Sequence, residues 1–165
     1  MTETLARLSA RVDRALLAVS CAFLALMMLH VTFDVALRFL FNAPVVGTLE
    51  TVSYYYMIIA VFLPLAYVER KGEHIRVDLF VQHLPQGLQL ALYLLACLAG
   101  LAFFGMLAYQ GLLDAWRSTL REETIMSNCL FYIWPSRWAL PIGFFAVCLT
   151  LVANILTALQ KRRAL

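Results

Sequence analysis

Four long apolar runs leave this chain little choice of solvent. They extend from about Ala15 to Leu40, Thr51 to Val68, Leu88 to Leu113 and Trp138 to Leu159. Each reaches the roughly 17–25 residues a helix needs to cross a hydrocarbon core of about 30 Å. A water-soluble fold does not accommodate them. A domain of 165 residues exposes much of its surface, and 63% of these side chains are hydrophobic, more than one small core hides. The expected fold is an all-α integral membrane protein with four transmembrane helices, at residues 15–40, 51–68, 88–113 and 138–159.

Lysine and arginine set the expected orientation. Arg7, Arg11 and Arg14, then Arg70, Lys71 and Arg76, then Lys161, Arg162 and Arg163 fall on one side, against Arg38, Arg117, Arg121 and Arg137 on the other. The positive-inside rule therefore puts both termini and the 69–87 loop in the cytoplasm, and the 41–50 turn and the 114–137 loop on the outer side. The basic leader is not read as a cleaved signal peptide. The apolar run after it exceeds the roughly 7–15 residues of such a segment, and it ends in His30, Asp34 and Arg38 rather than small residues. Residues 1–14 set Leu5, Leu8 and Val12 on one face with arginines around the rest, the pattern of a short N-terminal interfacial helix; a frayed basic tail is the other reading. Residues 160–165 form a second basic tail.

The first span carries three ionisable groups. His30, Asp34 and Arg38 recur every four residues and share one stripe. Such groups are costly in lipid, so the stripe is expected to face protein. It is read as a polar seam that fixes packing against the second helix or a partner, with a proton or substrate relay as the competing reading. The following turn, Phe41 to Glu50, is short and contains Pro44 and Gly47, so the first two helices form an antiparallel hairpin. Glu50 opens the second helix, where an acid suits the helix dipole, on the same membrane face as Arg38.

Later segments give weaker signals. Tyr54, Tyr55 and Tyr56 suit an interface, and Pro64 is expected to kink the second helix. Ala96 and Gly100 have the spacing of close helix contact. Trp134, Pro135 and Trp138 precede the fourth span, as interfacial belt residues or as a docking surface for an extracytoplasmic partner. Cys21, Cys97, Cys129 and Cys148 include no CxxC pair, which sets aside a disulfide oxidoreductase. The stretch YVERKGEHIRVDLF, Tyr67 to Phe80, packs six charges into ten positions from Glu69 to Asp78, three of each sign. It is read as a stiff cytoplasmic link, with Gly72 ending one helix and Asp78 capping the next segment.

Three segments together resemble the small membrane subunit of the tripartite ATP-independent periplasmic (TRAP) transporters, the DctQ-like family. RFLFNAP followed by Glu50 is similar to the pattern opening the family's second helix. Gly72, His74, Ile75, Val77 and Asp78 resemble its G-x-H-I-x-V-D signature, and Pro135, Pro141 and Gly143 its entry into the last helix. The resemblance spans Arg38 to Gly143, with departures at Gly47–Leu49 and at Leu63 and Pro64. It implies a subunit in the bacterial inner membrane that braces a large TRAP membrane subunit during sodium-coupled uptake of an organic acid. That acid is delivered by a periplasmic binding protein. Residues carried by the resemblance or the polar stripe as partner-interface candidates are His30, Asp34, Arg38, Glu50, His74, Arg76, Asp78, Trp134 and Pro135.

Other functions fit less well. A self-contained proton-coupled exporter would have to use Asp34 or His30. A cytochrome b needs two membrane histidines, and only His30 qualifies. Glu73, His74, Asp78 and His83 match no common zinc spacing. The expectation is a non-enzymatic subunit with no substrate site of its own, no cofactor and no nucleic-acid partner, surrounded by the lipid bilayer.

Overall fold

The computed structural model describes residues 2–72, 85–126 and 130–161. Four helical stretches are long and apolar enough to cross a membrane: Leu5–Phe41, Thr48–Lys71, Gln86–Leu120 and Trp134–Gln160. The first is one continuous helix, α1 (Thr2–Phe41). No break falls between residues 2–14 and the apolar run, so the stretch read as a distinct interfacial helix forms the first turns of the same rod. At 1.5 Å per residue α1 is about 60 Å long, twice the thickness of a hydrocarbon core.

The second stretch is assembled from pieces: α2 (Thr48–Thr51), a π-helical turn (Val52–Tyr56), α3 (Met57–Phe62) and α4 (Leu65–Lys71). Pro64 causes the break between α3 and α4, since its ring and missing N–H interrupt the hydrogen-bond ladder. The helix then ends at Gly72, whose left-handed φ of 67° stops α4 as the sequence suggests. The third stretch is α5 (Gln86–Leu120). It leads into a small antiparallel hairpin, β1 (Thr124–Met126) and β2 (Leu130–Tyr132), in which Ile125 pairs with Phe131. A short turn, α6 (Trp134–Arg137), and α7 (Ala139–Lys161) complete the chain.

The fourth span is the centre of the bundle. In its most apolar window 44% of residues are buried, against 6% in the first and third spans and 11% in the second. The α7 helix touches α1, α3, α4 and α5. Small residues make this close contact possible, including Ala146, Ala153 and Ala158 on α7, Ala66 on α4 and Cys97 and Ala108 on α5. At Gly143 the fit is tightest: a Cβ there would overlap the Phe62 carbonyl. The core cluster of Ala66, Cys97, Ala146, Val147 and Leu151 lies on the terminal side of this contact.

Polarity on α1 is the reverse of a soluble helix. Ser9, Asp13, Leu16, Ser20, Phe23, Met27, His30 and Asp34 are buried or half-buried at alternating spacings of four and three, a stripe of mean period 3.5. Five of these eight are polar. The opposite face exposes Leu24, Met28, Leu29, Phe33 and Val35. Lipid or another apolar surface is the solvent for that face, and the bundle keeps its hydrogen-bonding groups to itself.

Candidate functional site

At the end of the bundle that carries the β hairpin, the α1 stripe builds the turn into α2. Asp34 is buried, and its Oδ1 accepts the Val45 backbone N–H at 2.7 Å. Its Oδ2 lies 3.3 Å from Nη2 of Arg38, whose side chain stays 63% exposed. One carboxylate thus ties down the start of the second helix while its charge is offset one helical turn away. His30 completes the clamp, with Nδ1 3.2 Å from the Tyr56 hydroxyl and Nε2 3.5 Å from Oγ1 of Thr48. Thr48 in turn donates to the Val45 carbonyl at 3.2 Å. Gly47, at φ 89°, takes the left-handed conformation that lets the chain enter α2. Glu50 sits half-buried in the first turn of α2.

The π-helical turn directs three consecutive tyrosines to two neighbours. Successive helical residues point roughly 100° apart, which is enough to send neighbouring tyrosines to different partners. Tyr56 faces α1, edge-on to Phe23 and His30 at 6.1 and 5.8 Å between centroids. Tyr55 faces the hairpin, where its hydroxyl donates to the Tyr132 carbonyl at 2.6 Å and its ring meets Phe131 at 5.4 Å. The hairpin is pinned again from behind. Glu123 accepts from the Ser118 hydroxyl at 2.6 Å and from Nη2 of Arg137 at 2.9 Å. These bonds, the Ser118 hydroxyl foremost and Arg137 after it, hold the Glu123 carboxyl below the ordinary carboxylate range. Trp138 donates its indole N–H to Thr119 at 3.0 Å. Trp134 and Pro135 are half-buried at the start of α6 on the same end of the molecule.

Two further polar links join α1 to the rest of the bundle, and the sequence reading missed both. The Ser20 hydroxyl donates to the Ala60 carbonyl at 3.0 Å. At the terminal end Asp13 is fully buried. The Thr150 hydroxyl of α7 lies 3.3 and 3.2 Å from its two oxygens, and Nε of Arg70 lies 3.4 Å from Oδ2. Asp13 was hidden by its neighbours, because the surrounding arginines made residues 1–14 look like a solvated basic segment. The signal that could have found it was the 3.5-residue recurrence of polar side chains from Ser9 to Asp34. His74, Arg76 and Asp78, with Glu73 and His83, lie outside the described residues.

Among the described residues every buried side-chain nitrogen and oxygen has a hydrogen-bond partner. The stripe is therefore a set of joints between helices, at three levels along α1. No curated protein matches the chain. A family model does, that of the tripartite ATP-independent periplasmic transporters, DctQ component, over residues 27–161. That match covers the polar clamp, the broken second helix and the central α7, and leaves out the Asp13 end of α1. The chain is a multi-pass membrane protein that belongs to the DctQ family, the small membrane component of TRAP transporters.

Proposed function

We propose that the chain braces the large membrane subunit of its transporter and moves no substrate itself. It sits in the bacterial inner membrane with both termini in the cytoplasm. The transporter it serves takes up an organic acid with sodium, after a periplasmic binding protein delivers the acid. The observation that carries this reading is the use of polarity in the bundle. Asp13, Ser20, His30 and Asp34 are all engaged in bonds between helices or to the interhelix turn. An exporter based on Asp34 or His30 would need these groups to exchange protons with water on both sides. Here a 2.7 Å backbone bond and an arginine hold the carboxylate in place.

The partner surface is the one the clamp presents. His30, Asp34 and Arg38 fix the hairpin between the first two helices, and that hairpin exposes Phe39, Leu40, Phe41, Val46 and Leu49, with Phe39 at 87%. So large an apolar tip suits burial against another membrane protein. Glu50 stands beside it; Trp134 and Pro135 sit under the periplasmic hairpin, within reach of a docked binding protein. His74, Arg76 and Asp78 complete the candidate contacts from the cytoplasmic link. Co-expression with the large subunit tests the assignment. Changing Phe39, Leu40 and Leu49 together to serine should lower co-purification of the large subunit at least fivefold with helix content unchanged. Full recovery would remove this surface from the interface.

A further inference from the structure

A cleft of about 250 Å³ opens at the hairpin end between the second span, α5 and the α6–α7 corner. Its walls include Tyr54, Ile58, Phe62, Gly111, Ile133 and Leu140, and its lining also contains two opposite charges, Asp114 and Arg137. These features are spread along the length of the second span. Tyr54 and Phe62 are eight positions apart on the second span, about 12 Å of helix rise, so the cleft runs from the end of the bundle toward its middle. Phe62 and Ile58 line the deep part. Asp114 and Arg137 lie nearer the hairpin, in the last turns of α5 and at the end of α6.

An apolar slot that ends in a cation and an anion at the interface matches the chemistry of one kind of molecule. We propose that the cleft holds a zwitterionic phospholipid with a primary amine in its headgroup. One acyl chain lies along Ile58, Phe62 and Leu140, the phosphate faces Arg137, and the ammonium faces Asp114. The volume is about eight times the space of a water molecule and below the roughly 300–1,000 Å³ of enclosed drug-sized sites. It takes a length of hydrocarbon chain, with the headgroup outside. Arg137 already donates to Glu123 at 2.9 Å through Nη2, and a guanidinium has five N–H donors in all, which leaves capacity for a phosphate oxygen. Asp114 accepts a weak 3.4 Å bond from Gln110 and is exposed to an incoming ammonium. An anionic headgroup without an amine would meet Arg137 equally well but would offer Asp114 only neutral hydroxyls in place of an ion pair. The cleft therefore discriminates between headgroups by the acid.

Native mass spectrometry of the full chain released from nanodiscs made of equal phosphatidylethanolamine and phosphatidylglycerol tests the site. The expected result is one retained phosphatidylethanolamine per chain, favoured about fivefold over phosphatidylglycerol. Asp114→Asn changes an exposed position and should leave the fold intact while bringing the two lipids within twofold of each other. Ile58→Trp fills the slot and should remove the retained lipid. Equal retention of both lipids by the unchanged chain overturns the proposal, as does an unaltered preference in Asp114→Asn. A third contrary outcome is Ile58→Trp that keeps its lipid yet loses the large subunit, which would assign the cleft to a protein side chain.

Discussion

The Ser20 hydroxyl donates to the Ala60 carbonyl at 3.0 Å, and Ala60 is the residue whose carbonyl an ordinary residue at position 64 would bond. Pro64 has no N–H to offer, so the break in the second helix leaves an acceptor that α1 fills. Two residues on from Ala60, the Phe62 carbonyl lies directly against Gly143 of α7. The irregular part of the second helix is thus the point where three helices lock, and a transmembrane proline is tolerated because a neighbouring serine satisfies the group it frees.

This coupling makes a distinctive prediction for a double mutant. Ser20→Ala alone should cost about 1–2 kcal/mol, since a buried carbonyl in an apolar setting loses its donor. Pro64→Ala restores an N–H at position 64, so the serine change should cost much less in that background. Equilibrium unfolding of the four chains in mixed micelles gives the coupling. Equal costs in both backgrounds would show that Ala60 does not depend on Ser20.

Gly143→Ala should destabilise the bundle by about 1–3 kcal/mol, because the added methyl must displace the backbone of Phe62 rather than a flexible side chain. Gly105 supplies the control. A Cβ there meets nothing within 4 Å, and Gly105→Ala should be neutral or slightly stabilising through helix propensity. Thermal unfolding of the two variants reads the difference directly.

Much of this arrangement was legible in the residues. Four apolar runs marked the spans, Pro64 marked the break, and the spacing of His30, Asp34 and Arg38 marked a polar seam. The hairpin clamp was not legible, because the acceptor geometry of Asp34 depends on where the backbone of Val45 comes to rest. Nor was the role of Asp13, whose partners Arg70 and Thr150 are distant in sequence. Helical period reveals which residues share a face, but only the packing of α7 in the centre decides which face is buried.

Asp13→Ala removes the acid that joins α1, α4 and α7 at the terminal end. It should cost roughly 1–3 kcal/mol, the range for leaving buried partners unsatisfied, with Arg70 partly relieved by its access to solvent. Hydrogen exchange should show the loss concentrated in the first four turns of α1, while the amides around His30 keep their protection. Uniform loss along α1 would mean the helix responds as one unit.

The hairpin should respond to acid. Folding lowers the Glu123 pKa below its ordinary 4.5, so this carboxylate contributes stability fully above that value. The contribution falls away as the pH drops through the lower folded-state value. Protease cleavage at the hairpin should therefore rise as the pH is taken from 5 toward 3, and Glu123→Gln should be more susceptible at pH 7 with a flatter profile over that window. Identical profiles for the two chains would remove Glu123 as the pin.

The central claim is that the bundle's polar groups hold helices together and carry nothing across the membrane. Proton and sodium flux into liposomes containing the purified chain alone, followed with pH-sensitive and sodium-sensitive dyes, addresses it most directly. The account predicts flux equal to that of empty liposomes for the unchanged chain and for Asp34→Asn alike. Flux above that baseline, abolished by Asp34→Asn, would contradict it.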